Sequence, residues 1–261
     1  INPVNAAFSH NPQHKSPYSP SSRLFLNPLY LDIEAMPDFL ESRKAQEAVQ
    51  DAQFQVRLAN LRGTELVDYP GVAAAKKAIL EIVYQHFRDH HLDPGSDRGR
   101  SFRDFQEKGG KPLQLYGLFE ALQEHLHNED PSVWGWPVWP EPFRSPDSPA
   151  VLGFAEEHRV RLEYFQYLQW HTSLQLGAVG RRSFELGLNV GMYADLPVSV
   201  DGAGAETWIY QGVYAHSARI GAPPDDFNLK GQDWGLPPLI PIRLQEVAYA
   251  PFIATLRANM R

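Results

Sequence analysis

The run from Gly221 to Pro238 concentrates side chains suited to holding a polyol. Asp225, Asp226 and Gln232 offer two-acceptor or donor-acceptor ends, and Trp234 offers a flat apolar face. A pyranose ring presents the complement, an apolar C–H face and equatorial hydroxyl pairs, so the composition fits a saccharide clamp. Four prolines and three glycines exclude a regular helix or a central strand, and the run reads as a long shaped loop. Phe227, Trp234 and Leu236 favour burial, and fixed prolines lower the cost of ordering, so an ordered loop is expected. The same residues also suit a surface loop that only pins Trp234 into the core.

Two further positions carry chemistry. Tyr18 lies between Pro17 and Pro20, whose restricted backbones hold its ring either as a sugar platform or as a packing corner. Asp195 falls at the C-terminal end of Leu188 to Leu196, which reads as a buried strand after a long helix. In a β/α barrel that end is the functional face; otherwise the aspartate caps a turn. His86 and His90 are four residues apart on a predicted helix, a spacing a metal could use, but His91 belongs to another face and no acid is placed as in zinc-protease helices. These histidines, with His125 and His127, read as solvated or helix-end groups, and neither a metal nor a cofactor is expected. Gly202 and Gly204 lack a third glycine in register, which disfavours dinucleotide binding.

The elements that must position these groups are mostly helices. Helical composition is read over 38–60 with Asp38 as N-cap, from Tyr69 to before Asp93, over 101–106 and 112–126 with a stop near Gly109-Gly110, and from Ser148 to about Gly180 with a break before Arg159. Gly187 closes the last of these, and a final amphipathic helix is expected over 243–260, with Leu244, Val247, Phe252, Ile253 and Leu256 inward. Trp134, Trp136 and Trp139, interleaved with prolines, read as packing of a long loop rather than as a sugar site.

The chain has 261 residues, 43% hydrophobic and 21% charged, enough for a sizeable core in one or two domains. A net charge of −7 disfavours a general nucleic-acid partner, and a neutral sugar is compatible. Absence of cysteine excludes disulfide scaffolds and Cys-based zinc sites. Lacking a long apolar run or a basic-then-apolar start, the chain is expected in the cytoplasm, not in a membrane. Beginning with Ile1, it is expected to be a piece of something longer.

The run GAPPDDFNLKGQDWGLPP resembles the active-site loop of the amylomaltases, the 4-alpha-glucanotransferases of glycoside hydrolase family 77. The resemblance extends to Ile1-Asn2-Pro3, to 16–23 and 26–30, which look like the stretch after the second barrel strand of the long bacterial form. It continues to 191–198 and 204–208, which look like the third strand and the segment just after it. It implies an α/β fold: an incomplete TIM (β/α)8 barrel with a large, mainly helical insertion. The expected parts are 1–33 (end of strand 2 and an active-site loop), 34–146 (insertion) and 147–261 (barrel helix, strand 3, clamp loop and a last helix).

The resemblance further implies that Ser16 and Tyr18 border the subsite where the bond is cut, and that Asp195 positions sugar and is not the nucleophile. A retaining transferase needs two carboxyl groups about 5 to 5.5 Å apart. In the family these come after the fourth strand, in an Arg-Ile-Asp-His motif, and after the fifth, with a further aspartate after the seventh. No Arg-Ile-Asp-His occurs here, so the reacting groups are expected beyond Arg261 and the chain alone is expected to be inactive. Maltooligosaccharides or other α-1,4-glucans are the implied partners. The alternatives are a non-catalytic maltooligosaccharide-binding module using Tyr18, Asp225 and Trp234, or a helical interaction protein using 38–126.

Overall fold

Prolines and short polar caps set most helix starts. In the computed structural model, which describes residues 1–260, Asp68 caps a helix with Pro70 in its first turn, and Ser148 does the same ahead of Pro149. The chain opens with an antiparallel pair, β1 (Asn5–Ala6) and β2 (Ser22–Leu26). Then come α1 (Pro37–Glu41), α2 (Arg43–Gln50), α3 (Ala52–Arg62) and α4 (Tyr69–Phe87), which runs into a π-helical turn, Arg88–Leu92. Next are α5 (Asp97–Glu129), α6 (Pro149–Glu157), α7 (Arg159–Glu185) and α8 (Ala205–Ile209). A second antiparallel pair, β3 (Ile220–Ala222) and β4 (Gln232–Leu236), precedes α9 (Pro241–Glu246) and α10 (Ala250–Asn259).

Several expectations are revised. Asp38 is not a cap; it lies inside α1, fully buried, while Ser42 and Asp51 cap α2 and α3. The two helices expected around Gly109-Gly110 do meet there, since Gly110, at φ 51° and ψ −149°, is non-helical and kinks α5 between them. The last helix is two: Ala248 and Tyr249, at φ of 51° and 58°, separate α9 from α10. α10 buries Pro251 and Thr255 and leaves Phe252 and Ile253 exposed. It docks on β2 partly through Asn259, whose amide donates to the Arg23 carbonyl at 2.9 Å, so a polar contact sets its face.

The expected strand over 188–196 does not form, and Val190 and Tyr193 are exposed. A parallel-sheet strand needs partners on both edges and cover on both faces. Here only Ile1 pairs with it among the described residues: its amino group donates to the Tyr193 carbonyl at 2.6 Å and its carbonyl accepts from Asp195 N at 3.1 Å. That exchange is one rung of a parallel ladder. No wider parallel sheet is present among the described residues.

The principal apolar cluster joins the helices to the first strand pair and includes Phe87, Phe102, Phe119, Trp139, Tyr167 and Trp208. Trp139 and Trp208 are completely buried; of the Trp-Pro segment, Trp139 packs in the core and Trp136 partly so, whereas Trp134 is exposed. Asp38, the most deeply buried carboxylate of the helical core, is fully paired. Burial raises the Asp38 carboxyl, but hydrogen bonds from His171, Arg98 and Tyr167 outweigh it and hold the carboxylate well below its usual range. No helix among the described residues is long and apolar enough to cross a membrane.

α5 and α7 cross where Gly117 faces the Leu162 carbonyl; a Cβ there would lie 2.9 Å from that oxygen. Gly117→Ala is expected to spread the two helices and cost about 1–3 kcal/mol, measured by urea unfolding.

Candidate functional site

A buried ion pair positions the segments that carry the candidate residues. Arg23 Nη2 donates to Glu206 Oε1 at 3.0 Å, and the Arg23 backbone N–H donates to Glu206 Oε2 at 2.7 Å. Both side chains are nearly inaccessible to water. The guanidinium also donates to the carbonyl of Val198 at 3.2 Å and to the Tyr214 hydroxyl oxygen at 3.1 Å, and Tyr214 in turn donates to Glu206 at 2.6 Å. Burial opposes the Arg23 charge, but Glu206 and Tyr214 outweigh it and raise its pKa. Further contacts zip the same segments: Asp201 N to the Pro20 carbonyl at 2.9 Å, Ser19 Oγ to Asp201 at 3.0 Å, and Ala205 N to Ser21 Oγ at 2.9 Å.

This zipper brings Tyr18 and Asp195 together. The Tyr18 hydroxyl donates to Asp195 Oδ2 at 3.0 Å across 177 residues of sequence. Both side chains are exposed, and the bond to Asp195 raises the Tyr18 pKa, keeping the phenol a donor. Ser16 sits at the same bend, its Oγ accepting from the Tyr18 N–H at 3.4 Å.

The clamp run is a hairpin as well as a loop. Ile220, Gly221 and Ala222 pair with Leu236, Asp233 and Gln232, and Gly221 packs so closely on Gln232 that a Cβ would fall 1.9 Å from its carbonyl oxygen. At the tip, Asp225 Oδ1 accepts from Phe227 N at 2.9 Å and Asn228 N at 2.6 Å, so this carboxylate shapes the turn. Trp234 Nε1 donates to Gln232 Oε1 at 2.9 Å. The expected burial holds for Leu236 only; Phe227 is fully exposed and Trp234 is 44% exposed. A two-stranded ribbon has no second layer to cover its aromatic side chains. Ser16, Tyr18 and Asp195 thus form one group and Asp225, Gln232 and Trp234 another; no hydrogen bond or ring contact links the two groups among the described residues.

Sequence reasoning misses a cavity of about 350 Å³ lined in part by Ser9, His10, Ser16, Glu120 and His127. Burial pushes the Glu120 carboxyl up to about 8 against an opposing hydrogen bond from Ser9, so it is largely protonated at neutral pH. Burial likewise lowers His10 to about 4; the Trp134 carbonyl opposes, and His127 adds to the shift. The signal that could have found it is spacing: Glu120 falls on the buried face of α5 with Leu113, Tyr116 and Gln123.

Residues 1–261 all match the family model described as 4-alpha-glucanotransferase, glycoside hydrolase family 77. The chain belongs to this family. It is 35% identical over 264 residues to the 4-alpha-glucanotransferase of Haemophilus influenzae, covering all of this chain and 38% of that protein. It is 34% identical to that of Mycobacterium tuberculosis, covering 35% of it. The chain therefore spans little more than a third of the length of these relatives. Among solved structures, the amylomaltase from Corynebacterium glutamicum superposes with a TM-score of 0.78 at 31% identity, over the whole chain and 33% of that protein. An amylomaltase from Streptococcus agalactiae in complex with acarbose shares the fold, with a TM-score of 0.77 at 20% identity, over 99% of this chain and 50% of that one.

Two measurements test the site's framework. Arg23→Met strands the Glu206 carboxylate in the interior and is expected to cost about 3–5 kcal/mol in urea unfolding. The double variant Arg23→Met/Glu206→Leu should recover much of that loss. For Glu120 the folded pKa, about 8, lies above the unfolded value of about 4.3. Its contribution is therefore complete below about pH 4.3 and is lost as pH rises towards about 8. Glu120→Gln should flatten this part of the stability profile and exceed the parent by a few kcal/mol near pH 8, read from unfolding midpoints across pH.

Proposed function

We propose that this chain supplies the donor-sugar side of a 4-alpha-glucanotransferase, moving α-1,4-glucan segments between maltooligosaccharides by a retaining double displacement. The observation that carries the reading is the Tyr18–Asp195 hydrogen bond at 3.0 Å, which unites a Pro-framed phenol and a carboxylate from distant parts of the sequence. An ionised carboxylate accepts several hydrogen bonds, so Asp195 retains acceptor capacity for sugar hydroxyls while Tyr18 fixes its orientation. Ser16 borders the same subsite.

Trp234 offers a half-exposed indole face for the apolar side of a glucose ring, and the amide of Gln232, tied to it, keeps its N–H groups for hydroxyls. Asp225 shapes the hairpin that presents them. The parallel rung between Ile1 and the 193–195 segment supports placing Asp195 at the end of a barrel strand beside its predecessor, with residues 34–146 as an insertion. The nucleophile, the acid/base and the third carboxylate are assigned to polypeptide outside these 261 residues, since the Arg-Ile-Asp-His motif is not among them.

In the enzyme that carries this chain, Asp195→Asn and Tyr18→Phe are expected to lower kcat/KM for glucose release from maltotriose at least tenfold. Trp234→Ala should act mainly on KM. Wild-type transfer by Asp195→Asn would end the reading, as would glucan transfer by the 261-residue chain alone.

A further inference from the structure

The end of α1 meets the end of α4 at three side chains that a regular helix would not bring together. His86 belongs to the last turn of α4, and His91 lies five residues later on the π-helical turn. In a continuous α-helix a spacing of five turns the second side chain well away from the first; the wider π turn returns it. Glu41, the last residue of α1, faces both. His91 Nε2 lies 2.7 Å and His86 Nε2 3.9 Å from Glu41 Oε2, and the three ligand atoms all fall within 4.8 Å of one another.

We propose that Glu41, His86 and His91 form a binding site for a divalent transition-metal ion of the zinc class. Two imidazole nitrogens and a carboxylate oxygen are a donor set suited to Zn²⁺ or Co²⁺, and three protein ligands leave a fourth position for water. The second observation is His86 Nε2 itself, a buried polar atom without a hydrogen-bond partner. Such an atom needs a partner, and an ion among the three groups supplies one.

The surroundings fix the rings. His91 Nδ1 lies 3.0 Å from Ser96 Oγ, an outer partner of the kind that orients a ligating imidazole, and the His86 ring stacks on His90 with centroids 4.1 Å apart. His90 stays outside the cluster of three ligand atoms, and its Nδ1 lies 3.0 Å from the His86 carbonyl. Asp38 comes within 4.0 Å of His91 Nε2 but is held by Arg98, Tyr167 and His171. Tetrahedral ligands at zinc distances sit about 3.3 Å apart. The His91–Glu41 contact must therefore open slightly and the His86–Glu41 contact close, which falls within the reach of Glu41, the most exposed of the three. The ion would staple α1 to α4 and shares no residue with the Tyr18–Asp195 group.

The test is calorimetric titration of the untagged, EDTA-treated protein with Zn²⁺, with visible absorption of added Co²⁺ as the report on coordination. One equivalent bound, a tetrahedral Co²⁺ spectrum, and at least tenfold weaker binding in His86→Ala and in Glu41→Gln are expected. Glu41→Gln alters a half-exposed side chain and keeps the test open should the histidine variant misfold. His125→Ala, which removes a different histidine–glutamate contact, should bind as the parent does. Absence of stoichiometric binding, or equal binding by the parent and Glu41→Gln, overturns the proposal.

Discussion

One buried guanidinium organises the site side of this molecule. Arg23 belongs to β2, and Tyr18 lies on the loop that leads into it. Its Nη1 donates to Val198, three residues beyond Asp195. Its Nη2 reaches Tyr214, and the neighbours of Tyr214 hold the exit of the hairpin: Ala215 N donates to the Pro238 carbonyl at 2.9 Å and Ile240 N to the Val213 carbonyl at 2.8 Å. All three segments that bear candidate sugar contacts are thus tied to one cation. Taking Arg23 and Glu206 out of water is costly, and replacement by matched apolar residues often stabilises a protein, so net stability is a poor reason for the pair. Its geometric effect is clearer, because the directed donors on Nη1 and Nη2 fix segments that apolar packing would leave free to slide.

A related economy operates on α7. Gln169 accepts from the Leu26 N–H at 2.9 Å and donates to the Leu26 carbonyl at 2.8 Å; Gln175 treats Asp32 identically, at 2.9 and 2.7 Å. Each primary amide satisfies the donor and acceptor of one backbone residue, as a neighbouring strand would. In this way α7 pairs the backbone of Leu26, in the strand that β1 also pairs, and of Asp32 in the loop beyond it.

How much of this is legible in the sequence depends on the range of the forces involved. Local signals read well: Asp68 and Pro70 start α4, Ser148 and Pro149 start α6, and Gly187 at φ 85° ends α7. The Gly110 kink and the burial of Trp139 are readable for the same reason. The segment 188–196 misleads because its apolar pattern states a demand for neighbours, and a ladder forms only where neighbours exist. Asp38 resembles a cap because aspartate before a helix usually is one; only Arg98, Tyr167 and His171, from 60 to 133 residues away, make it a core residue. His91 falls on the wrong face when a period of 3.6 is carried through a π turn. The family resemblance names Ser16, Tyr18 and Asp195 as neighbours of substrate, whereas the physical reading of the residues alone leaves Tyr18 and Asp195 each with a structural alternative.

The two groups of candidate residues differ in how they are held, and the difference bears on binding. Tyr18 and Asp195 are exposed side chains on segments zipped to a buried network, so their relative position is fixed at little further entropic cost when a ligand arrives. Trp234 and Gln232 sit on a ribbon whose base is buried at Leu236 and Pro237 while its tip, at Phe227, is fully exposed. Protection from local opening tracks burial, so stability must fall from base to tip along this hairpin. The polar pair is thus held more rigidly than the aromatic arm, and the difference follows from the covered base and bare tip of the hairpin.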